Sequence, residues 1–115
     1  MKALEDRTNR NLGELEQLLL LAVLRVGDDA YGTSVRREIE ARTGRKLTAG
    51  AVFTALERLE RRGFVSSRMG DPTPVRGGKR KRYYRVEARG IDALRRSQHA
   101  LQEMLEGLGA RLELS

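Results

Sequence analysis

The sequence contains no cysteine and no tryptophan, and it has only two prolines and one histidine, His99. Without cysteine there is no disulfide framework, thiolate metal site, redox pair or cysteine nucleophile. A single histidine excludes metal sites built from several histidines and leaves little scope for histidine-based catalysis. No pair of residues has the pattern of a catalytic pair. We therefore expect neither an enzyme nor a metal or cofactor site.

Long apolar runs are also missing. The longest, residues 18–24, is about a third of the ~20 residues that cross a bilayer. The 17 residues before it are polar and mixed in charge, and no small-residue cleavage site follows, so no secretory signal is predicted. These features predict a cytoplasmic protein.

Positive charge is abundant. The 115 residues include 23 Lys and Arg against 16 Asp and Glu, which gives a formal net charge of +7. A small basic chain favours a polyanionic partner such as nucleic acid. Because many basic proteins bind no nucleic acid, this interpretation needs support from the motifs.

The first predicted helix begins near Leu12, where Asn11 and Glu14 have the spacing of a capping box. Its apolar residues cover more than one side, which indicates burial on more than one side. The helix is expected to end at Gly27-Asp28-Asp29.

Two further helices are predicted, with a short glycine-containing turn between them. The second runs over about 30–42 with Asp29 as its cap, and the third over about 48–62 with Thr48 as its cap. The third helix is expected to bury Val52, Phe53, Leu56 and Leu59. The pair has the form of a helix–turn–helix, although plain helical packing gives the same spacing.

After the third helix, the spacing of the apolar residues changes from that of a helix to that of the strands of a β-hairpin. Residues 64–69 and 81–87 are the two predicted strands, and the intervening loop holds both prolines. In Tyr83-Tyr84, one ring should enter the core and the other should reach the surface. The fold class expected is mainly α with a small β-hairpin.

A last helix is predicted from near Ala88 to about Glu106. Its seam residues alternate by three and four positions, which is a heptad pattern. They are Ile91, Leu94, Gln98, Leu101, Leu105, Leu108 and Leu112. The seam favours self-pairing into a two-fold dimer, although it could instead pack on the first helix of its own chain. Because a two-fold dimer would present two copies of the same DNA-binding surface, we expect a near-palindromic operator in double-stranded DNA.

The third helix supplies one set of candidate DNA contacts. Small residues in its first turn allow a close approach to the major groove, and Thr54 and Arg58 are placed to reach base edges. The candidates here are Thr48, Gly50, Ala51, Thr54 and Arg58.

A basic arm supplies the second set. Between residues 76 and 85 there are six cations and no acid, and Gly77-Gly78 allows close approach of an anion. The candidates are Arg76, Lys79, Arg80, Lys81 and Arg82, although a basic run can also be solvated surface. Tyr31 is either a lid on the core or a hydrogen-bond donor to phosphate.

Together these residues resemble the PadR family of bacterial winged-helix transcriptional regulators, from about Leu12 to Leu105. The resemblance is carried by Ala30-Tyr31-Gly32, residues 50–59 (GAVFTALERL), Gly63-Phe64-Val65, and Lys81-Arg82-Tyr83-Tyr84 followed by Gly90.

The resemblance implies a homodimeric repressor whose third helix enters the major groove and whose wing touches the backbone or minor groove. It implies that the last helix contacts the partner's first helix, through Leu15 and Leu19 in addition to the seam. It divides the chain into a flexible N-terminus (1–11), a winged-helix DNA-binding domain (12–88) and a dimerisation helix (89–115). A small-molecule effector is also implied, but no residue pattern identifies one.

Two positions depart from the family pattern. Phe53 stands where the family usually has tyrosine, which removes a hydroxyl, and Glu87-Ala88 stands where threonine often caps the last helix. The alternative function is a winged-helix module that binds a protein or RNA and has only non-specific affinity for DNA. Dependence on DNA sequence distinguishes the two functions.

Overall fold

A computed structural model of the chain describes residues 12–71 and 80–113. Its elements are α1 (Glu14–Val26), a 3-10 turn (Gly27–Asp29), α2 (Gly32–Thr43), α3 (Ala49–Arg61), β1 (Val65–Met69), β2 (Arg82–Val86), α4 (Ala88–Leu105) and α5 (Gly109–Leu112). The fold is mainly helical with one antiparallel hairpin, as predicted. Among the described helices, none is long and apolar enough to cross a membrane.

Helix α1 lies at the centre of the core. Leu19 and Leu20 are fully buried, and the helix packs against α2, α3, β2 and α4. It begins two residues later than predicted, because the amide of Leu12 donates to Ser97 Oγ at 2.8 Å instead of entering the helix. The Glu16 carboxylate accepts the Gly13 amide at 2.8 Å. The proposed cap Asn11 lies outside the described residues.

Helix α2 also begins later than predicted. Asp29 is the last residue of the 3-10 turn and does not cap α2, since Tyr31 is the residue at the N-cap. Ser34 makes this start possible: its hydroxyl donates to the Asp29 carbonyl at 2.6 Å, and its oxygen accepts the Tyr31 amide at 2.9 Å. The helix ends at Gly44, whose φ of 75° is in the left-handed region that glycine favours.

Helix α3 has the predicted cap and most of the predicted core face. Thr48 Oγ1 accepts the Ala51 amide at 3.0 Å, and Val52, Leu56 and Leu59 are buried. The prediction for Phe53 was wrong, since this side chain is 53% exposed. One residue along a helix is a rotation of about 100°, so Phe53 points away from the stripe that starts at Val52.

The hairpin pairs Val65 with Val86 at one end and Met69 with Arg82 at the other. Strand β2 also contacts the segment before α2: the Tyr84 amide donates to the Ala30 carbonyl at 2.8 Å, and Tyr31 forms an isolated bridge with Tyr83. Tyr84 is buried and Tyr83 is half-buried, as the alternation predicts.

Helix α4 starts directly behind the hairpin and matches its predicted bounds. Gly90 is buried against the start of β1, with Phe64 and Val86 as its nearest neighbours. Ala93, Leu94 and Ser97 then face α1 and the core. The helix ends at Leu105, and Gly107 follows with a φ of 79°.

The tight contact at Gly90 predicts a loss of stability in Gly90→Ala. A Cβ there would lie 2.3 Å from the Phe64 carbonyl oxygen, which already accepts the Glu87 amide at 2.9 Å. Because backbone must move to relieve this clash, we expect a loss of about 1–3 kcal/mol in the free energy of unfolding.

Urea denaturation measures this loss, and Gly50→Ala is the matched control. A Cβ at Gly50 meets nothing within 4 Å, so this helical substitution should leave stability unchanged or raise it by up to about 1 kcal/mol. Equal effects of the two substitutions would contradict the close-packing explanation.

Candidate nucleic-acid interface

The face of α3 that points away from the core is exposed along the helix. Its members are Gly50, Ala51, Thr54, Glu57, Arg58 and Arg61. The first turn carries no side chain larger than a methyl group at Ala49, Gly50 and Ala51, so a bulky ligand can approach the amino end of the helix. This end is the positive end of the helix dipole, which favours phosphate.

Contacts at both ends hold this helix in position. Its C-terminal end is tied to α1 by the Arg62–Glu16 ion pair at 2.8 Å. The turn before it is tied to α1 by the exposed Arg45–Glu14 pair. Between these points Leu56 and Leu59 pack into the core. Contacts with α1 and with the core therefore hold α3 in place, with its opposite face exposed.

The β1–β2 hairpin is the wing, and two aromatic rings meet at its base. The Tyr31 and Tyr83 rings meet edge to face, with centroids 5.8 Å apart. Lys81 Nζ lies 4.3 Å from the centroid of Tyr31, and the Arg68 guanidinium lies 4.9 Å from that of Tyr83. Such cation–π contacts favour a fixed position for the charged groups. Tyr31 is half-buried beneath Lys81.

Two further cations are fastened to the hairpin and remain exposed. Arg80 Nε donates to the Gly70 carbonyl at 2.9 Å, and Arg82 Nη1 donates to Ser67 Oγ at 3.0 Å. Both interactions use only part of the guanidinium, and its remaining N–H groups bond to no other residue of the described ranges, so they can meet an anion. The predicted contacts Arg76 and Lys79 lie outside the described residues.

A cleft of about 270 Å³ lies between the start of α2, the first half of α3 and the base of the wing. We call it the wing cleft. Its lining includes Tyr31, Arg36, Phe53, Lys81, Arg82 and Tyr84. Among the residues that the structure describes, no acidic side chain lines it. The cleft therefore combines apolar surface with positive charge.

Arg36 and Phe53 belong to this surface, although the sequence patterns did not indicate it. Arg36 follows the buried Val35, and only the packing of α2 shows that it faces the wing. Phe53 was assigned to the core, although its position one residue after Val52 was a signal that it lies off the apolar stripe. By contrast, Thr54 and Arg58 are exposed on one face of α3, as predicted.

Two titratable groups behind the wing have altered pKa values. A hydrogen bond from the Ser66 hydroxyl, with a smaller effect of Arg85, lowers the pKa of Glu87. Burial raises the pKa of Tyr84. At neutral pH Glu87 is therefore an anion and Tyr84 a neutral phenol. Glu87 makes no side-chain cap to α4, since its carboxylate accepts from Ser66 instead.

The predicted dimerisation seam is divided between the core and the surface. Leu19 and Leu94 are 0% and 7% exposed, so both are core residues of the protomer. Leu15 packs against the same core. Gln98 donates to Gln17 Oε1 on α1 at 2.8 Å. The first half of α4 thus packs on its own chain, the alternative that the sequence left open.

The second half of α4 is different. Leu101 is 53% exposed and Met104 is 76% exposed, and Leu21 and Leu24 on α1 are 38% and 47% exposed. A shallow groove runs between the two helices and is lined by Leu21, Leu24, Ile91, Leu94, Gln98 and His99. Leu105 and Leu108 are half-buried. Exposed apolar surface of this kind is typical of an interaction site.

The family model that matches this chain is the transcriptional regulator PadR-like family, over residues 20–96. A comparison with curated proteins finds none that matches.

Solved structures share the fold. A PadR family transcription regulator from Clostridium difficile is 22% identical, with a TM-score of 0.70 over 87% of this chain and 99% of that one. A PadR family transcriptional regulator from Eggerthella lenta is 25% identical, with a TM-score of 0.65 over the whole of both chains. A putative transcriptional regulator from Thermoplasma acidophilum is 23% identical, with a TM-score of 0.64 over 88% and 91% of the two chains.

The family match covers more than half of the chain, from the second half of α1 through α2, α3 and the wing to the first half of α4. The helix–turn–helix and the basic wing base have the arrangement that winged-helix proteins use to bind DNA. The chain therefore belongs to the PadR-like family, and it is a DNA-binding transcriptional regulator, not an enzyme.

Proposed function

We propose that the protein is a homodimeric, sequence-specific repressor that acts on cytoplasmic DNA. Helix α3 enters the major groove, and the wing lies on the backbone or in the adjacent minor groove. The observation that carries this proposal is the joint placement of the small, exposed first turn of α3 and the cations of the wing cleft on one side of the molecule.

Base recognition is assigned to the exposed face of α3. Thr54 and Arg58 are one turn apart, so both can point into the same groove. An arginine in this position matches the O6 and N7 acceptors of guanine, a contact worth about 1–3 kcal/mol of discrimination. Gly50 and Ala51 allow the helix to approach closely enough for that contact.

The part of the DNA affinity that does not depend on the DNA sequence is assigned to the wing. Arg80, Lys81 and Arg82 are held at its base, and Arg76 and Lys79 complete the basic arm in the sequence. Tyr31 and Thr48 flank the same surface and can donate their hydroxyl protons to phosphate oxygens. Contacts of this type release counterions, so binding should weaken steeply with salt.

Dimerisation is assigned to the exposed apolar residues of α4 and α1. Leu101, with Leu105 and Leu108 beyond it, offers a stripe for a second copy, and Leu21 and Leu24 offer its complement. A two-fold dimer would present two α3 helices to successive major grooves and would therefore select a near-palindromic operator. Occupying such a site in a promoter blocks transcription.

The experiment that tests the function is selection of a preferred site from random-sequence DNA, followed by binding measurements on the selected site. Fluorescence anisotropy should show an affinity roughly 10³-fold or more above that for scrambled DNA at the same salt. Arg58→Ala should lower the affinity for the selected site by about 10- to 100-fold, because it removes a base contact. Its effect on scrambled DNA should be much smaller.

Arg111→Ala is the matched control, because it removes the same charge from an exposed position on α5. It should leave the preference unchanged. If no sequence is enriched, and binding to all DNA is equally weak and equally salt-dependent, the regulator proposal fails. The result would then favour a module that binds a protein or RNA.

Dimerisation is tested by Leu101→Asp. This side chain is half-exposed in the protomer, so we expect folding to be nearly unaffected and the dimer to dissociate, since a carboxylate would be buried without a partner. Sedimentation equilibrium and thermal unfolding measure the two effects.

Ala88→Asp is the control for charge, because Ala88 is exposed at the start of the same helix, is not among the residues that line the groove, and its substitution introduces the same carboxylate. It should remain dimeric. A Leu101→Asp protein that sediments as a dimer would show that the contact lies elsewhere.

A further inference from the structure

Phe53 places a large apolar side chain on the surface of α3. The exposed residues around it are small, polar or charged, yet this aromatic ring is 53% exposed. Apolar area left in water costs about 25 cal/mol per Å² relative to buried area. It is not a cap, and it is not on the buried stripe of its helix. A ligand that covers it would recover this free energy.

The surroundings of Phe53 specify the chemistry of that ligand. It lies in the wing cleft beside the buried Leu56 and Tyr84, with Arg36, Lys81 and Arg82 as the cations of the lining. Lys81 is fixed over the Tyr31 ring at 4.3 Å, so its charge is kept at this position. The cleft thus fits a molecule that carries an anion and an apolar group close together.

A nucleotide in a DNA strand has this combination. Its phosphate is the anion, and a thymine carries a C5-methyl group into the major groove. That methyl is the apolar group of the base-pair edges in this groove, and phenylalanine is among the side chains that contact it. Since Phe53 has no hydroxyl, it offers the base no hydrogen bond, and its discrimination must come from apolar contact.

On the basis of the proposed function, we propose that Phe53 determines specificity by packing on the C5-methyl group of a thymine in each half-site, while the cations of the wing cleft hold the phosphate backbone of the same strand. Cytosine at this position lacks the methyl and would leave the Phe53 ring in water. The operator should therefore carry one thymine per half-site that Phe53 reads.

The test replaces thymine by deoxyuridine, one position at a time, in the site selected from random DNA. Deoxyuridine keeps every hydrogen-bonding group of thymine and lacks only the methyl. The wild-type protein should lose about fourfold in affinity at one thymine of each half-site, the effect of burying one methyl group. At that position Phe53→Ala should bind the thymine and deoxyuridine sites equally.

Glu57→Ala is the matched control, since Glu57 is exposed one turn further along the same helix. It should retain the fourfold difference between the two sites. The readout compares two DNAs on one protein, so reduced folding of a variant cannot imitate the result. Circular dichroism should nevertheless show that Phe53→Ala is folded, because the ring it removes is half-exposed.

The possible failures are distinct. If no preferred site can be selected, the regulator proposal itself is wrong. If a site is selected but no thymine is sensitive to deoxyuridine, the methyl contact is wrong and the function stands. If Phe53→Ala weakens thymine and deoxyuridine sites alike while the sensitivity persists, Phe53 contacts sugar or backbone, and its assigned role in specificity is overturned.

Discussion

One backbone hydrogen bond joins the wing to the helix–turn–helix, and the geometry of the DNA-facing side depends on it. The Tyr84 amide donates to the Ala30 carbonyl at 2.8 Å, beside the Tyr31–Tyr83 bridge. Such a bond contributes only about 0.5–1.5 kcal/mol to stability. Its larger effect is positional, because it sets Lys81 next to the start of α2 and opposite the first half of α3.

This placement explains why so much positive charge is tolerated in a small space. Lys81 and Arg68 lie over aromatic rings, which attract cations without neutralising them. The Arg82 guanidinium is held by a neutral serine hydroxyl. That hydroxyl in turn donates to the Glu60 carboxylate at 2.8 Å, but none of the three cations forms a direct ion pair with an acid in residues 12–71 and 80–113, so much of their mutual repulsion persists in the free protein. Binding of a polyanion such as DNA removes that repulsion, and this favours the bound state over the free protein.

Sequence patterns predicted the elements well and their orientation less well. The Thr48 cap, the hairpin and the bounds of α4 follow from local spacing, and the structure confirms them. The start of α2 was misplaced because Ser34, inside the helix, satisfies the backbone that Asp29 was expected to cap. Arg36 was missed, and Phe53 was wrongly assigned to the core, for a different reason. Tertiary packing decides which side of a helix meets a neighbour. A periodic pattern locates an apolar stripe on a helix, but it does not say which element packs against that stripe.

Helix α4 connects the candidate DNA-binding site to the exposed apolar stripe. Its first turn is fixed to the hairpin at Gly90, where a backbone oxygen leaves no room even for a Cβ. Its exposed stripe begins about 17 Å further along, at the rise of 1.5 Å per residue. Because its first turn is fixed, the direction of this stripe relative to the hairpin is fixed as well. Because β2 is bonded to the segment before α2, the wing cations and the stripe have a defined relative position within the protomer. The spacing of two DNA-binding surfaces in a dimer would then be set by packing within the protomer as much as by the contact between protomers.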